Sequence, residues 1–140
     1  MDRMRSVARS VVVVVTWLLA IGLAGCAANP GVGLVSRGIP EGLTLDPLTE
    51  APAAVWMERG ESFAVVTMGS SSCPVVATAV SAKGDDLVSV MFGSSPNNPC
   101  TADIAPTTHE FELPTGVTGD AISVEIRFED WPELYTIALD

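Results

Sequence analysis

The chain has 140 residues, seven basic and seventeen acidic groups, a net charge of −10 and 48% hydrophobic residues. That length admits one domain with a modest core. The acidic balance argues against nucleic acid and anionic lipid headgroups as partners, since both are polyanions.

Arg3, Arg5 and Arg9 precede an apolar run from Val11 to Ala28, 18 residues interrupted by Thr16 and two glycines. A basic start, an apolar stretch and a small-residue end is the layout of an export signal. A bilayer-spanning helix needs roughly 20 apolar residues. The valines of 11–15 supply hydrophobicity without strong helix propensity. Asn29-Pro30-Gly31 follows with no basic stop-transfer cluster behind it. A retained helix and a plain secretory signal are the alternatives. The sequence Leu23-Ala24-Gly25-Cys26 resembles the bacterial lipobox, in which the cysteine sulfur receives diacylglycerol and cleavage makes that cysteine the first mature residue. The resemblance implies a signal peptide over 1–25, lipidation at Cys26 and an anchor in the cell membrane, on its extracytoplasmic face. Each buried acyl methylene contributes about 0.8 kcal/mol, so two or three chains hold firmly where one would not.

The leader takes three of the seven basic residues and one of the seventeen acidic ones, leaving four and sixteen, a net of −12. With Cys26 set apart, Cys73 and Cys100 remain, and outside the cytoplasm an even pair reads as a disulfide. Redox-active pairs sit close together at a helix start with a lowered thiolate pKa. These two are 27 positions apart in an acidic chain with no evident helix, which favours a structural bridge.

From Cys26 to Ala54 the chain is rich in Gly, Pro and Ala and keeps no period, although Leu43, Leu45 and Leu48 can dock locally. The expectation is a flexible tether of roughly 30 Å root-mean-square span. The domain proper is expected over 55–140. Short β-runs lie at Val55–Glu58, Glu61–Met68, Val75–Ala82, Leu87–Phe92, Thr108–Leu113, Ala121–Glu129 and Leu134–Leu139, with turn residues between them. The clearest alternation sets Ile122, Val124, Ile126 and Phe128 inward and Ser123, Glu125, Arg127 and Glu129 outward. About seven short strands with no helical period predict an all-β fold, an antiparallel β-sandwich immunoglobulin-like in general build, with a small β-barrel as the alternative. If consecutive strands alternate in direction, loops 70–74, 94–107 and 130–134 share one end and turns 59–60, 83–86 and 114–120 the other. Both cysteine loops fall in the first set. The tether is expected to enter at this same end, which would turn it toward the membrane.

Few residues suggest chemistry. His109 is the sole histidine and shares a face with Phe111 and Leu113 near the start of its strand, so the simplest expectation is a partly buried histidine with a satisfied hydrogen bond. Asp103 and Ser70–Ser72 fall near it by strand count, but no G-x-S-x-G or comparable motif marks a nucleophile, and the chain is expected not to be an enzyme. Met57, Met68, Met91, His109 and the cysteines are soft ligands without compact spacing, and Asp85-Asp86 and Glu129-Asp130 lack the spaced oxygens of a calcium loop. No metal and no cofactor are expected. Trp131, beside Pro132, either caps the open end of the core or stands exposed as a binding anchor.

The lipobox, the Pro/Gly stretch, Gly69-Ser-Ser-Ser-Cys-Pro74 and Asn98-Pro-Cys-Thr-Ala-Asp103 together resemble small lipid-anchored proteins of high-GC Gram-positive bacteria. That resemblance carries no activity; it implies only the lipidated Cys26 and the disulfide. The expected function is a non-enzymatic binding or structural module of the cell envelope. Its partners would be the membrane, through the anchor, and an envelope protein or small ligand. The alternative is a small-ligand or metal-binding lipoprotein using Asp103, His109 and Trp131 at the disulfide end.

Overall fold

Val, Ile, Phe and Thr gathered between Gly, Pro, Asn and Asp turns build eight strands in the computed structural model, which describes residues 32–46 and 51–139. The predicted leader 1–25, Cys26 and Leu48 lie outside the described residues. The strands are β1 (Leu34–Arg37), β2 (Ala53–Glu58), β3 (Ser62–Gly69), β4 (Val76–Ala82), β5 (Leu87–Gly93), β6 (Ala105–Glu112), β7 (Ile122–Phe128) and β8 (Trp131–Leu139). All regular structure among the described residues is strand. Two four-stranded sheets form, ordered β1-β6-β3-β2 and β4-β5-β7-β8. They remain separate, so the fold is a sandwich and not the alternative barrel.

The inner faces meet as the alternation predicts. Phe63, Val65 and Phe111 of the first sheet pack against Val88, Val90, Phe92, Val124 and Ile126 of the second. Burying each such side chain stabilises by roughly 1.5–3 kcal/mol. On β3 the neighbours Ala64 and Val66 are sealed as well, although they stand outside this core cluster. That strand is buried on both faces, which is why it reads as an unbroken apolar run instead of an alternation.

One pairing departs from an all-antiparallel plan. β5 and β7 run parallel, with Val88 opposite Val124 and Val90 opposite Ile126. The chain leaves β5, makes β6 in the other sheet and returns as β7. Two reversals, one into β6 and one out of it, restore the direction, so neighbours made like this must be parallel.

The predicted end assignment holds. β3, β5 and β7 finish, and β4, β6 and β8 begin, at the end that carries both cysteines. Strand edges differ at two prolines. β6 starts at Ala105, three residues before the expected Thr108, and contains Pro106. The Pro106 carbonyl accepts from Gly38 N on the β1 side. Its nitrogen points the same way, so no bond to β3 is lost. β8 starts at Trp131 and contains Pro132, tolerated on an edge strand.

The tether is corrected most. Residues 34–37 form β1, pairing antiparallel to β6 with Leu34 opposite Glu110 and Arg37 opposite Thr107. A four-residue strand leaves almost no periodic signal. It is held here by ladder bonds to β6, by Val32 N donating to Ala77 O, and by the Thr108 hydroxyl donating to Gly38 O. β1 runs toward the cysteine end, so the described chain enters from the opposite side. The expectation of entry at the cysteine end is reversed.

Candidate functional site

Cys73 and Cys100 are joined, with Cα atoms 5.3 Å apart. The bridge draws together the loop after β3 and the loop before β6, the second of which contains a cis Asn98–Pro99 bond. Small hydroxyl side chains beside each cysteine complete the seam. Ser70 Oγ lies 3.0 Å and Ser72 Oγ 3.2 Å from Thr101 Oγ1. Thr101 N donates to Ser72 Oγ at 2.9 Å and Asn97 Nδ2 to Ser72 O at 2.8 Å. Asp103 accepts from Ser71 N at 3.1 Å and from the Thr101 hydroxyl. The Ser71 hydroxyl, then that of Thr101, then the Ser71 amide hold the Asp103 carboxyl at about 2, below its ordinary 3.8. Each group is occupied by its neighbours, which makes this cluster a seam between loops.

His109 lies in the interior with no exposed surface. Its Nε2 shares a hydrogen bond of 3.1 Å with Thr67 Oγ1, and Phe92 meets its ring edge-on at 4.8 Å. Burial lowers its pKa from 6.5 to about 4, because charging the ring there forfeits hydration. Among the described residues its Nδ1 has no hydrogen-bond partner. His109 is therefore a neutral core residue, and it cannot touch a ligand at the surface.

From His109 a file of aromatic rings leads outward. Phe92 stacks on Phe128 at 5.5 Å, and Phe128 meets Trp131 and Tyr135 edge-on at 5.8 and 6.2 Å. Phe128 completes the inward alternation of β7. Trp131 stands opposite it across the β7–β8 pair, where the register shifts. The indole is 60% exposed, so it does not cap the core. Beside it is a hollow of about 190 Å³ lined by Val75, Phe92, Ser94, Phe128, Glu129, Asp130 and Trp131, with Gly93 at its edge. A Cβ on Gly93 would stand 2.9 Å from Glu129 Oε2 and 3.0 Å from Thr78 Cγ2, so glycine leaves room for the Glu129 carboxylate beside Thr78. Glu129 accepts from the Thr78 hydroxyl at 3.3 Å, and Asp130 from the Ser94 hydroxyl.

The predicted trio is thus separated: Asp103 lies in the loop seam, His109 in the core, and Trp131 on the hollow. Phe92, Phe128, Glu129 and Asp130 belong to the hollow and were not singled out from sequence. The available signal was the inward parity of Phe128 and its closeness to Trp131. The disulfide removes both cysteines as soft ligands. Among the described residues no three His, Cys, Asp or Glu side chains are grouped to hold a metal. No family model, curated protein or solved structure matches this chain.

Proposed function

We propose that the chain is a lipid-anchored, non-enzymatic binding domain of the cell envelope, held at the extracytoplasmic face of the cell membrane through Cys26. The observation that supports it best is the closed Cys73–Cys100 bridge. A structural disulfide suits an oxidising compartment. It also uses the two cysteines left when Cys26 is set apart, the partition that the lipobox resemblance requires.

On this reading five residues, 27–31, separate Cys26 from Val32. Six residue steps reach about 20 Å when fully extended, so the domain sits close against the membrane and not on a long tether. β1 then runs away from the anchored side, and the stapled end, with the Trp131 hollow, faces outward. That exposed end is where a partner docks.

The test is fractionation of cells expressing the wild type and Cys26→Ala. The wild type should sediment with membranes and carry a diacylglyceryl cysteine at its mature N-terminus by mass spectrometry. The variant should be released. A Cys26→Ala protein that still co-sediments with lipid would overturn the anchor.

A further inference from the structure

We propose that the outer face of the first sheet, at the end of the sandwich opposite the disulfide, binds an extended basic segment of a partner protein. The inference goes beyond the reading of the stapled end and does not rest on the anchor.

Strand register builds this surface. Glu112 lies opposite Ser62, and Ser62 opposite Glu58; two residues back along β6, Glu110 lies between Leu34 and Ala64. Opposed residues share a face, and Phe63 and Phe111 take the inner one, so the three glutamates stand together on the outer one. Small Ser62 and Ala64 between longer side chains leave the sheet low here. The result is a groove of about 710 Å³ whose lining includes Glu58, Glu110, Glu112, Val32, Leu34 and Val80. It adjoins a hollow of about 490 Å³ that shares Glu58, Ser62 and Glu112 and adds Glu61. Gly33, at φ +86°, shapes the rim: a Cβ there would stand 2.5 Å from Glu110 O and 2.7 Å from the Phe111 ring. Without one, the chain passes from Val32, bonded to Ala77 O of the second sheet, to Leu34 beside Glu110.

Charge and exposed apolar surface together choose the occupant. The single ion pair among the described residues joins Arg127 to Glu125, so no described arginine or lysine, Arg59 beside Glu58 included, neutralises the three glutamates. Like charges on one sheet face repel, and an entering cation relieves that repulsion. Leu34 is 73% and Val32 43% exposed, an apolar wall beside the acids. Lysine and arginine are apolar along the stem and charged at the tip, so their stems cover this wall while their tips reach the carboxylates. Glu110 and Glu112 are two residues apart on one strand, about 7 Å, and alternate side chains of an extended partner repeat at the same distance. The acids are too spread to hold a metal ion: among the described residues no three His, Cys, Asp or Glu side chains are grouped for one. An open trough through both hollows suits a length of chain, and the net charge of −10 speeds the approach of a basic one.

The test uses the full-length protein in a neutral detergent and a dye-labelled peptide of alternating lysine and serine, followed by fluorescence anisotropy at about 0.1 M salt, where longer-range attraction is screened. Saturable binding is expected. Glu110→Gln with Glu112→Gln should weaken it tenfold or more. Leu34→Ser should weaken it threefold or more, and Leu34→Met, which keeps the apolar wall, should retain most of it. Asp85→Asn with Asp86→Asn removes the same charge at the same end but off the trough, and should change it less than threefold. A peptide of the same composition with its lysines in one block should bind at least threefold more weakly. An intact near-ultraviolet circular dichroism spectrum certifies each variant's fold. Equal losses from the two double variants, or equal binding of the two peptides, would mean diffuse attraction only, and unchanged binding by Leu34→Ser would empty the groove of its role; any of these results overturns the proposal. So would spermine binding as tightly as the alternating peptide. Cys26→Ala protein should bind the peptide like the wild type, so failure of the anchor and failure of the trough are read separately.

Discussion

The loops at one end of the sandwich are joined by side chains, whereas the turns at the other are joined by backbone. At the stapled end the segments 70–75 and 94–104 meet through the disulfide, Ser70, Ser72, Thr101 and Asp103. At the far end Thr118 N and Gly119 N donate to Asp85 O, Ser123 N to Asp86 O and Leu113 N to Glu61 O, while Val117 closes the core from below. Amide ladders survive most substitutions, because every residue but proline has the donor. A seam built of side chains depends on residue identity, on oxidation and on pH. The difference teaches where this fold can be tuned without being rebuilt: the end that depends on particular side chains is also the end that carries the aromatic hollow.

The largest expected blow to that contrast is Cys73→Ser with Cys100→Ser. Opening a loop of 27 residues should lower stability by about 3.5 kcal/mol in the chain-entropy model. Urea denaturation should show a lower midpoint with the far-end amides still protected from hydrogen exchange. If protection falls first at the far end, the contrast between the ends is wrong.

Acid comes next and acts through His109. Its folded pKa of about 4 lies below the ordinary 6.5, so on acidification the unfolded chain takes the proton first. The stabilisation is complete above about pH 6.5 and is lost as pH falls toward 4. The loss should total about 3 kcal/mol, from 1.36 kcal/mol per pKa unit. Stability measured against pH should slope across this window in the wild type and flatten in His109→Gln.

A smaller effect probes the backbone-knit end. A Cβ on Gly119 would come within 3.1 Å of Asp85 O, the carbonyl that accepts two amides. Gly119→Ala should cost roughly 1 kcal/mol by calorimetry. Serine or alanine replacements at neighbouring exposed sites should cost less than half of that.

The smallest effect belongs to Asp103. Its folded pKa is depressed, so its contribution is present above about pH 3.8 and lost as pH falls toward 2. Asp103→Asn should remove that slope while leaving stability at pH 7 nearly unchanged, since the carboxylate is exposed.

Most of the sandwich was legible in the sequence because its strands announce themselves. Ile122, Val124 and Ile126 alternate against a wet face, and Gly60 and Gly84 punctuate the turns. The disulfide was legible from counting, once Cys26 was separated. β1 was hidden because four residues in a Gly- and Pro-rich stretch carry no period, and what holds them is a partner far along the chain. The parallel β5–β7 pair was hidden because sheet membership of β6 is a tertiary choice. The candidate site was half visible: Trp131 stood out by type, but Phe92 and Phe128 looked like ordinary core and Glu129-Asp130 like turn acids. Only the fold brings Phe92, Phe128 and Trp131 to one hollow.

β1 has a consequence in time. A chain that appears N-terminus first presents Leu34 and Val35 early, yet the ladder partner of Val35 is His109, which appears roughly 70 residues later. Through that interval an apolar strand edge waits unpaired, and such edges invite foreign strands. Brevity is its protection: four residues make a poor template, and Gly33 and Gly38 on either side keep the exposed edge from growing longer.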